Sequence, residues 1–365
     1  MPGMNRRRFL ECWMATLAST RLARGDETAA AGFFAPAEEA PHARTWMCWP
    51  ATASIYGGTG AYYEDVQETL GRLAAAIAMH EPVAMAVGTE HRETAARLCG
   101  PGVELVTSPT DDMWARDNGA VFLVDGQGNR AALDFHFNGW GGKQRHGKDE
   151  AIAAAMAAHA GCPLIASVLT GEGGGIEYDG EGTLLLNDSC WDNDNRNPGM
   201  DRAAIEAAFT AELGVAKVIW LPGLKGGDIT DDHIDGCVRF VRPGVLLTSG
   251  IEGDTSQWGA MMDERVAILK ASSDARGRAF TIAEVPWAEE VRSERADFFS
   301  GYANFYVGNG ALYTPRFGDP ARDRHAAETL AALYPKRAVV VLDVDRIYEN
   351  GGGIHCVTQQ EPAGF

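Results

Sequence analysis

TLLLNDSCWDNDNRNPGMDRAAIEAAFTAELGVAKVIW, residues 183–220, is the stretch whose reading decides the fold. It opens on a short apolar run, Thr183–Leu186, of strand length. Apolar residues then recur at helical spacing over Arg202–Leu213. A second run, Lys217–Trp220, is again strand-like and β-branched. A strand, a helix and a strand within forty residues make a mixed α/β unit. Outward from it the same alternation continues. Helical spacing appears at Tyr62–His80, Lys148–Gly161, Met261–Ala271 and Ala321–Tyr334. Short apolar runs lie between, at Pro82–Val87, Val103–Val106, Ala120–Val124, Val238–Val241, Gly244–Leu247, Ala311–Tyr313 and Ala338–Leu342. Strands outnumber helices, and helices recur at intervals. The pattern predicts a repeated α/β unit in one domain, 33–365, whose repeat is not visible as residue identity.

Bulk composition narrows the class. The chain has 365 residues, 45% hydrophobic and 22% charged, which is globular composition with enough core to hold a buried site without staples. Its 43 glycines imply many tight turns and favour a strand-rich fold over a helical bundle. A formal net charge of -18 argues against nucleic acid and anionic membrane as partners and suits a cationic ligand. The seven cysteines, 12, 48, 99, 162, 190, 237 and 356, form no CxxC pair, so a zinc knuckle or thioredoxin-type site is not indicated.

Residues 4–20, MNRRRFLECWMATLAST, place adjacent arginines ahead of an apolar stretch, and ETAAAG at 27–32 has the small residues of a cleavage region. Residues 1–32 are therefore expected to be a twin-arginine-type export signal, with a disordered extension on a cytoplasmic protein as the alternative. Glu11 and the later Arg21 and Arg24 favour the alternative.

Five segments concentrate glycine and polar residues beyond what a core needs. In DDMWARDNGAVFLV, residues 111–124, Trp114 and Asp117 precede a strand. A carboxylate beside an indole face can hold a cation, whereas the structural alternative is an Arg116–Asp117 surface pair. In GEGGGIEYDGEGTLLLND, residues 171–188, Glu172 leads three glycines without the GxxxxGK of a phosphate loop. In GGDITDDHIDGCVRFV, residues 226–241, His233 and Asp235 fall on one face if the segment is extended, as acid/base and cation anchor. Metal binding by Asp228, Asp231, Asp232, His233 and Asp235 is a rival, although the spacing matches no EF-hand. In GYANFYVGNGALYTPRFGDP, residues 301–320, Asn304 lies among aromatics and can orient a ligand or cap backbone. In ENGGGIHCVTQQEP, residues 349–362, Cys356 follows three glycines, including Gly352 and Gly353, that leave the sulfur approachable.

Taken together, these segments resemble the agmatine deiminase and bacterial peptidyl-arginine deiminase family. PAEEAPHARTWMCWP at 36–50, NRNPGMDRAAIEAAF at 195–209 and VIWLPG at 218–223 extend the likeness in order from Phe33 to the end. The resemblance implies a pentein: five pseudo-repeated ββαβ units around a central site. It implies Cys356 as nucleophile, His233 as general acid/base, Glu172 as its partner and a guanidinium contact, and Asp117 and Asp235 as carboxylates gripping a guanidinium. Trp114, Asn304, Gly352 and Gly353 fall near the substrate. The chain departs from the family pattern at Glu177, where the relatives carry His, at Gly236 in place of Asn, and at Gly353 in place of Asn. The implied reaction is hydrolytic deimination of a small cationic guanidino compound, agmatine first, through a covalent thiouronium. Neither metal nor organic cofactor is implied. Arginine in peptides, amidinotransfer to an amine, and a non-catalytic cation binder are the alternatives. A homo-oligomer stays open.

Overall fold

The computed structural model describes residues 32–251 and 253–365. The export-signal reading therefore lies outside the described residues. The first module holds β1 (His42–Cys48), α1 (Ala61–Ile77), β2 (Val83–Val87), α2 (Arg92–Cys99) and β3 (Val103–Thr107). The second holds β4 (Val121–Val124), β5 (Arg130–Asp134), α3 (Ile152–Ala160) and β6 (Leu164–Ala166). The opening stretch belongs to the third: β7 (Ile176–Tyr178), β8 (Thr183–Asn187), α4 (Arg202–Leu213) and β9 (Lys217–Leu221). The fourth is β10 (Val238–Arg242), β11 (Val245–Thr248), α5 (Gln257–Ala271) and β12 (Thr281–Glu284). The fifth is β13 (Tyr306–Val307), β14 (Ala311–Pro315), α6 (Pro320–Leu333) and β15 (Ala338–Leu342). In each of modules two to five an antiparallel pair is followed by a helical crossover to a parallel third strand.

The last strand, β16 (Gln359–Pro362), is not a sixth unit. It pairs antiparallel with β1, with Thr45 opposite Gln360 and Trp46 opposite Gln359, and so supplies the missing first strand of module one. Five ββαβ units closed through the chain ends make the pentein expected from the sequence. The seam is held by Glu361, whose buried carboxylate meets Arg130, Arg44 at 3.2 Å and the Trp46 indole N–H at 2.8 Å.

Local sequence explains the elements that matter for the site. Asp201 caps α4 by accepting from the Ala204 N–H, and Gly214 ends it in the left-handed region that glycine tolerates. Ile205, Ala208, Phe209 and Leu213 then bury one helix face against β7 and β8 in a cluster with Trp191. The parallel third strands β6, β9, β12 and β15 stand at the edge of their sheets and are only partly buried.

Candidate active site

Every functional residue anticipated from the motifs, apart from Trp114 and the glycines, stands a few residues ahead of the first strand of a module. Asp117 precedes β4, Glu172 β7, His233 and Asp235 β10, Asn304 β13 and Cys356 β16. Five pseudo-equivalent positions converge on the centre because the module repeats, although their residue types differ. The reach is achieved by short turns: a helical turn at Ala115–Asn118, a 3-10 turn at Gly173–Gly175 and another at Ile234–Gly236. The extended segment anticipated for His233 to Asp235 is thus a tight turn, with His233 the extended residue that starts it. Both side chains still line one cleft.

The sulfur of Cys356 is the centre. Asn304 Nδ2 donates to it from 3.1 Å, and the thiol points at Asp235 Oδ2, 3.4 Å away. Asn304 Oδ1 also accepts from the backbone N–H of His355 at 3.0 Å, so the amide fixes the turn that carries the nucleophile. Burial, followed by the charges of Asp235 and Asp117, pushes the thiol well above its ordinary value. The free site therefore holds a protonated thiol, and an arriving cation is what makes the thiolate affordable.

Opposite lies a charge-coupled group. His233 Nε2 sits 3.2 Å from Glu172 Oε2, and its Nδ1 3.6 Å from Asp117 Oδ1. Burial works against the imidazolium, but Asp117, Glu172 and Asp235 outweigh it and lift His233 to about 9. Burial raises Asp117 to about 6, with His233 opposing. Asp235 moves the other way, to about 2: burial is overcome by its contact with His355, whose Nδ1 is 2.7 Å away, and by His233 and Arg239. A protonated imidazole among ionised carboxylates is set to give a proton, and Asp235 beside the sulfur, with the charge of Asp117 acting from further back, can hold a planar cation.

Several residues sit differently from the simplest motif reading. Neither Glu172 nor Asp117 lines the cleft: both oxygens of Glu172 accept from Arg196 Nε at 2.9 Å behind His233, and Asp117 accepts from the Gly174 N–H at 3.1 Å and from Trp140. Trp114 lies behind Gly352, its N–H donated to Asp112 Oδ2 at 2.9 Å. Gly352 lines the cleft, but a Cβ there would come within 2.5 Å of the Trp114 ring. One at Gly353 would meet Asn304 Oδ1 at 2.4 Å. These glycines admit neighbouring side chains, and only Gly352 also opens on the ligand. Arg116 and Asp117 form no surface pair; both are buried, and Asp117 Oδ2 accepts from Trp140 Nε1 at 2.9 Å. The carboxylates of the metal reading are separately engaged, Asp231 by Arg196 and Lys143 and Asp232 by Arg265.

A second layer behind the cleft was not singled out from the sequence, apart from the departure noted at Glu177. Arg239 binds Glu38 at 2.6 Å, lies beside Glu177, and donates to the carbonyls of Ala303 and Phe305 on either side of Asn304. Glu38 in turn is 3.0 Å from His355 Nε2. Glu38, Glu177 and His355 are the one group of three or more candidate metal ligands among the described residues. The Arg239 guanidinium already bridges its two carboxylates.

Three predictions arise here. A Cβ built on Gly174 would lie 2.7 Å from both Asp117 Oδ1 and His233 Nδ1 and 3.3 Å from Asp235 Oδ2. Gly174→Ala should therefore cost about 100-fold in kcat/KM through displaced carboxylates, with circular dichroism unchanged. The pH profile of kcat/KM should be bell-shaped. It falls below about 6 as Asp117 takes a proton, and above about 9 as His233 loses one. Glu172→Gln removes one of the charges that raise His233, so the alkaline limb should move down by about one pH unit; an unmoved limb assigns it to another group.

A family model described as Porphyromonas-type peptidyl-arginine deiminase matches residues 34–362. A relative from Streptomyces coelicolor is 39% identical over 343 residues, 90% of this chain and 99% of its own. Agmatine deiminase of Pseudomonas fluorescens is 36% identical over 361 residues, 91% of this chain and 96% of its own. Among solved structures, agmatine deiminase of Enterococcus faecalis is similar with a TM-score of 0.85 and 26% identity, across 92% of this chain and 97% of that one.

Proposed function

Because the chain belongs to the Porphyromonas-type peptidyl-arginine deiminase family, we propose that it hydrolyses the guanidinium of agmatine to N-carbamoylputrescine and ammonia. The observation that carries this reading is the convergence of the Cys356 sulfur with Asp235, Asn304 and His233 on one cleft that no lysine or arginine among the described residues lines. A guanidinium is planar and charged at neutral pH, and its carbon is a poor electrophile. Asp117 and Asp235 orient the plane and set the carbon in line with the sulfur. The substrate's charge lowers the cost of ionising Cys356, whose proton leaves to solvent. Thiolate attack gives a tetrahedral adduct. His233, held protonated by Glu172 and Asp117, gives its proton to the departing nitrogen, and ammonia leaves. The neutral imidazole then takes a proton from the water that attacks the thiouronium carbon. The ureido product leaves as the C–S bond breaks, and the thiol and the imidazolium are restored.

The cleft, about 100 Å3, suits a guanidino head and its stem, which agmatine and an arginine side chain share, so the assay decides between them. The test is incubation with agmatine, free arginine and an arginyl peptide, each with and without an acceptor amine. Ureido product is read by colorimetry, and the mass of Cys356 after brief exposure. Agmatine turnover with a trapped adduct on Cys356 is expected. Peptide citrulline without agmatine turnover, or transfer to the amine, would replace this reading. For residues 1–32 we infer a twin-arginine-type export signal, tested by whether export of a fused reporter is lost when Arg7 and Arg8 become lysine.

A further inference from the structure

Asp117 is a buried carboxylate with a donor on each oxygen. Oδ1 accepts from the Gly174 N–H at 3.1 Å and faces His233 Nδ1 at 3.6 Å. Oδ2 accepts from the indole N–H of Trp140 at 2.9 Å. The titratable groups that face Asp117 are His233 and Asp235 from the turn ahead of β10, Glu172 from ahead of β7 and Cys356 from ahead of β16. Arg116, its neighbour in the chain, turns to the His355 carbonyl instead. Burial, Asp235 and Glu172 press Asp117 toward its neutral form, and His233 and the Trp140 hydrogen bond oppose them.

Trp140 reaches Asp117 by a backbone path that side chains ordinarily avoid. Gly139, Trp140, Gly141 and Gly142 have φ of 69°, 57°, 82° and 76°, a run of four left-handed residues. That conformation brings Cβ against the following carbonyl oxygen, so glycine takes it freely, asparagine sometimes and a bulky residue rarely. Three of the four are glycine. The exception is the residue whose side chain bonds Asp117, and strain of this kind persists only where the surroundings impose it. Here they do, at both ends. Asn138 Oδ1 accepts from the Gly141 N–H at 2.7 Å, and its Nδ2 donates to the Asn195 carbonyl at 3.0 Å. Lys143 donates to the Ile229 carbonyl at 3.0 Å and meets Asp231 Oδ2 at 2.7 Å. Asp231 in turn binds Arg196, the partner of Glu172. The indole itself is 3% exposed and packs edge-on against Phe137, with ring centroids 5.1 Å apart.

We propose that Trp140 is a positioning residue for the deimination: the left-handed strap 138–143 holds its indole N–H on Asp117, and this bond fixes the carboxylate beside His233. The inference rests on the deiminase reading. A donor aimed at the charged form of an acid favours that form, so the indole offsets part of what burial costs Asp117.

Trp140→Phe keeps a ring and removes the donor. With agmatine, kcat at the optimum should fall about tenfold. The acid limb of kcat/KM, set by Asp117 at about 6, should move up by about one pH unit. The alkaline limb, set by His233, should stay in place, because Asp117 is ionised there in either protein. A space-filling indole would lose activity without moving the acid limb. The strap is tested at Gly142, where a Cβ would meet nothing within 4 Å and only the left-handed backbone resists substitution. Gly142→Ala should move the acid limb in the same direction, and Gly142→Asn should restore most of it. An acid limb unmoved in Trp140→Phe, or equal behaviour of alanine and asparagine at 142, overturns the proposal. The bond is also read without turnover, by nitrogen-15 resonances of indole-labelled full-length protein. The signal missing from Trp140→Phe should titrate with a midpoint of about 6 and lie still in Asp117→Asn. If no guanidine is hydrolysed, the deiminase reading falls, and the hold of the strap on Asp117 stands or falls on that titration alone. A Trp140 signal that ignores pH overturns it.

Discussion

Replacing Cys356 by alanine should lower agmatine turnover by about 10^4-fold or more while the protein stays folded and still binds substrate. The size follows from the chemistry. Without sulfur there is no covalent intermediate, and water would have to attack a resonance-stabilised cation directly. The fold should survive, because the side chain contributes only one partner to Asn304, whose Oδ1 keeps its bonds to the His355 and Cys356 N–H groups. The other cysteine that lines the cleft, Cys237, has its sulfur engaged by Arg265 Nη1 at 2.9 Å. Retained ammonia release from agmatine by the Cys356→Ala protein, with a normal melting curve, would remove the nucleophile assignment. A serine variant should be nearly as inactive, since its oxygen is a far weaker nucleophile at neutral pH.

The largest expected effect on stability is at Arg239. The residue is 1% exposed and holds Glu38 at 2.6 Å; its Nε lies beside Glu177, and its plane stacks over the Phe305 ring at 4.8 Å. Arg239→Met keeps most of the volume but leaves two buried carboxylates facing each other. Removing one side of a buried pair costs about 3–5 kcal/mol, mostly as the charge left behind. Glu177 is already raised by burial, with Arg239 opposing, whereas Glu38 is held well below its usual value because Arg239 and His355 overcome burial. Without the guanidinium both folded-state carboxyls should titrate above their unfolded values. Such groups cost stability at neutral pH and cease to do so as pH falls through the raised value. The deficit should therefore narrow in mildly acidic urea melts, and a deficit that stays constant with pH would point to lost packing instead. Activity should fall too, because Arg239 donates to the carbonyls on both sides of Asn304.

Much of the architecture was legible because many strands are short apolar runs. Ala338–Leu342 was read with the observed bounds, and Arg202–Leu213 likewise. Elements whose stabilisation is not apolar escaped. β16 reads QQEP, with no hydrophobic signature; its pairing with β1 and the buried Glu361 make it a strand. β7 reads IEY, and its central Glu177 breaks the pattern until Arg239 is known to meet it. α2 buries only Ala95 and Cys99, too little for a visible stripe. The same division runs through the site. Glycine-flanked polar residues marked Asp117, Glu172, His233, Asp235, Asn304 and Cys356. Arg196 and Arg239 gave no such mark, because an arginine reads as surface until its carboxylates are located, 24 residues away for Arg196 and 201 for Glu38 and Arg239. The NRNPGM segment that carries Arg196 was visible as a motif, and its role was not.

The pairing of β16 with β1 has a bearing on biosynthesis. A ribosome releases the nucleophile and the closing strand together, Cys356 standing three residues ahead of β16. A nascent chain can assemble four modules and most of the acidic lining, yet it carries no sulfur to attack with and an unsatisfied edge on β1. Premature termination anywhere upstream of Cys356 thus removes reactivity and ring closure at one stroke, so incomplete copies are inert toward guanidines and exposed to proteolysis.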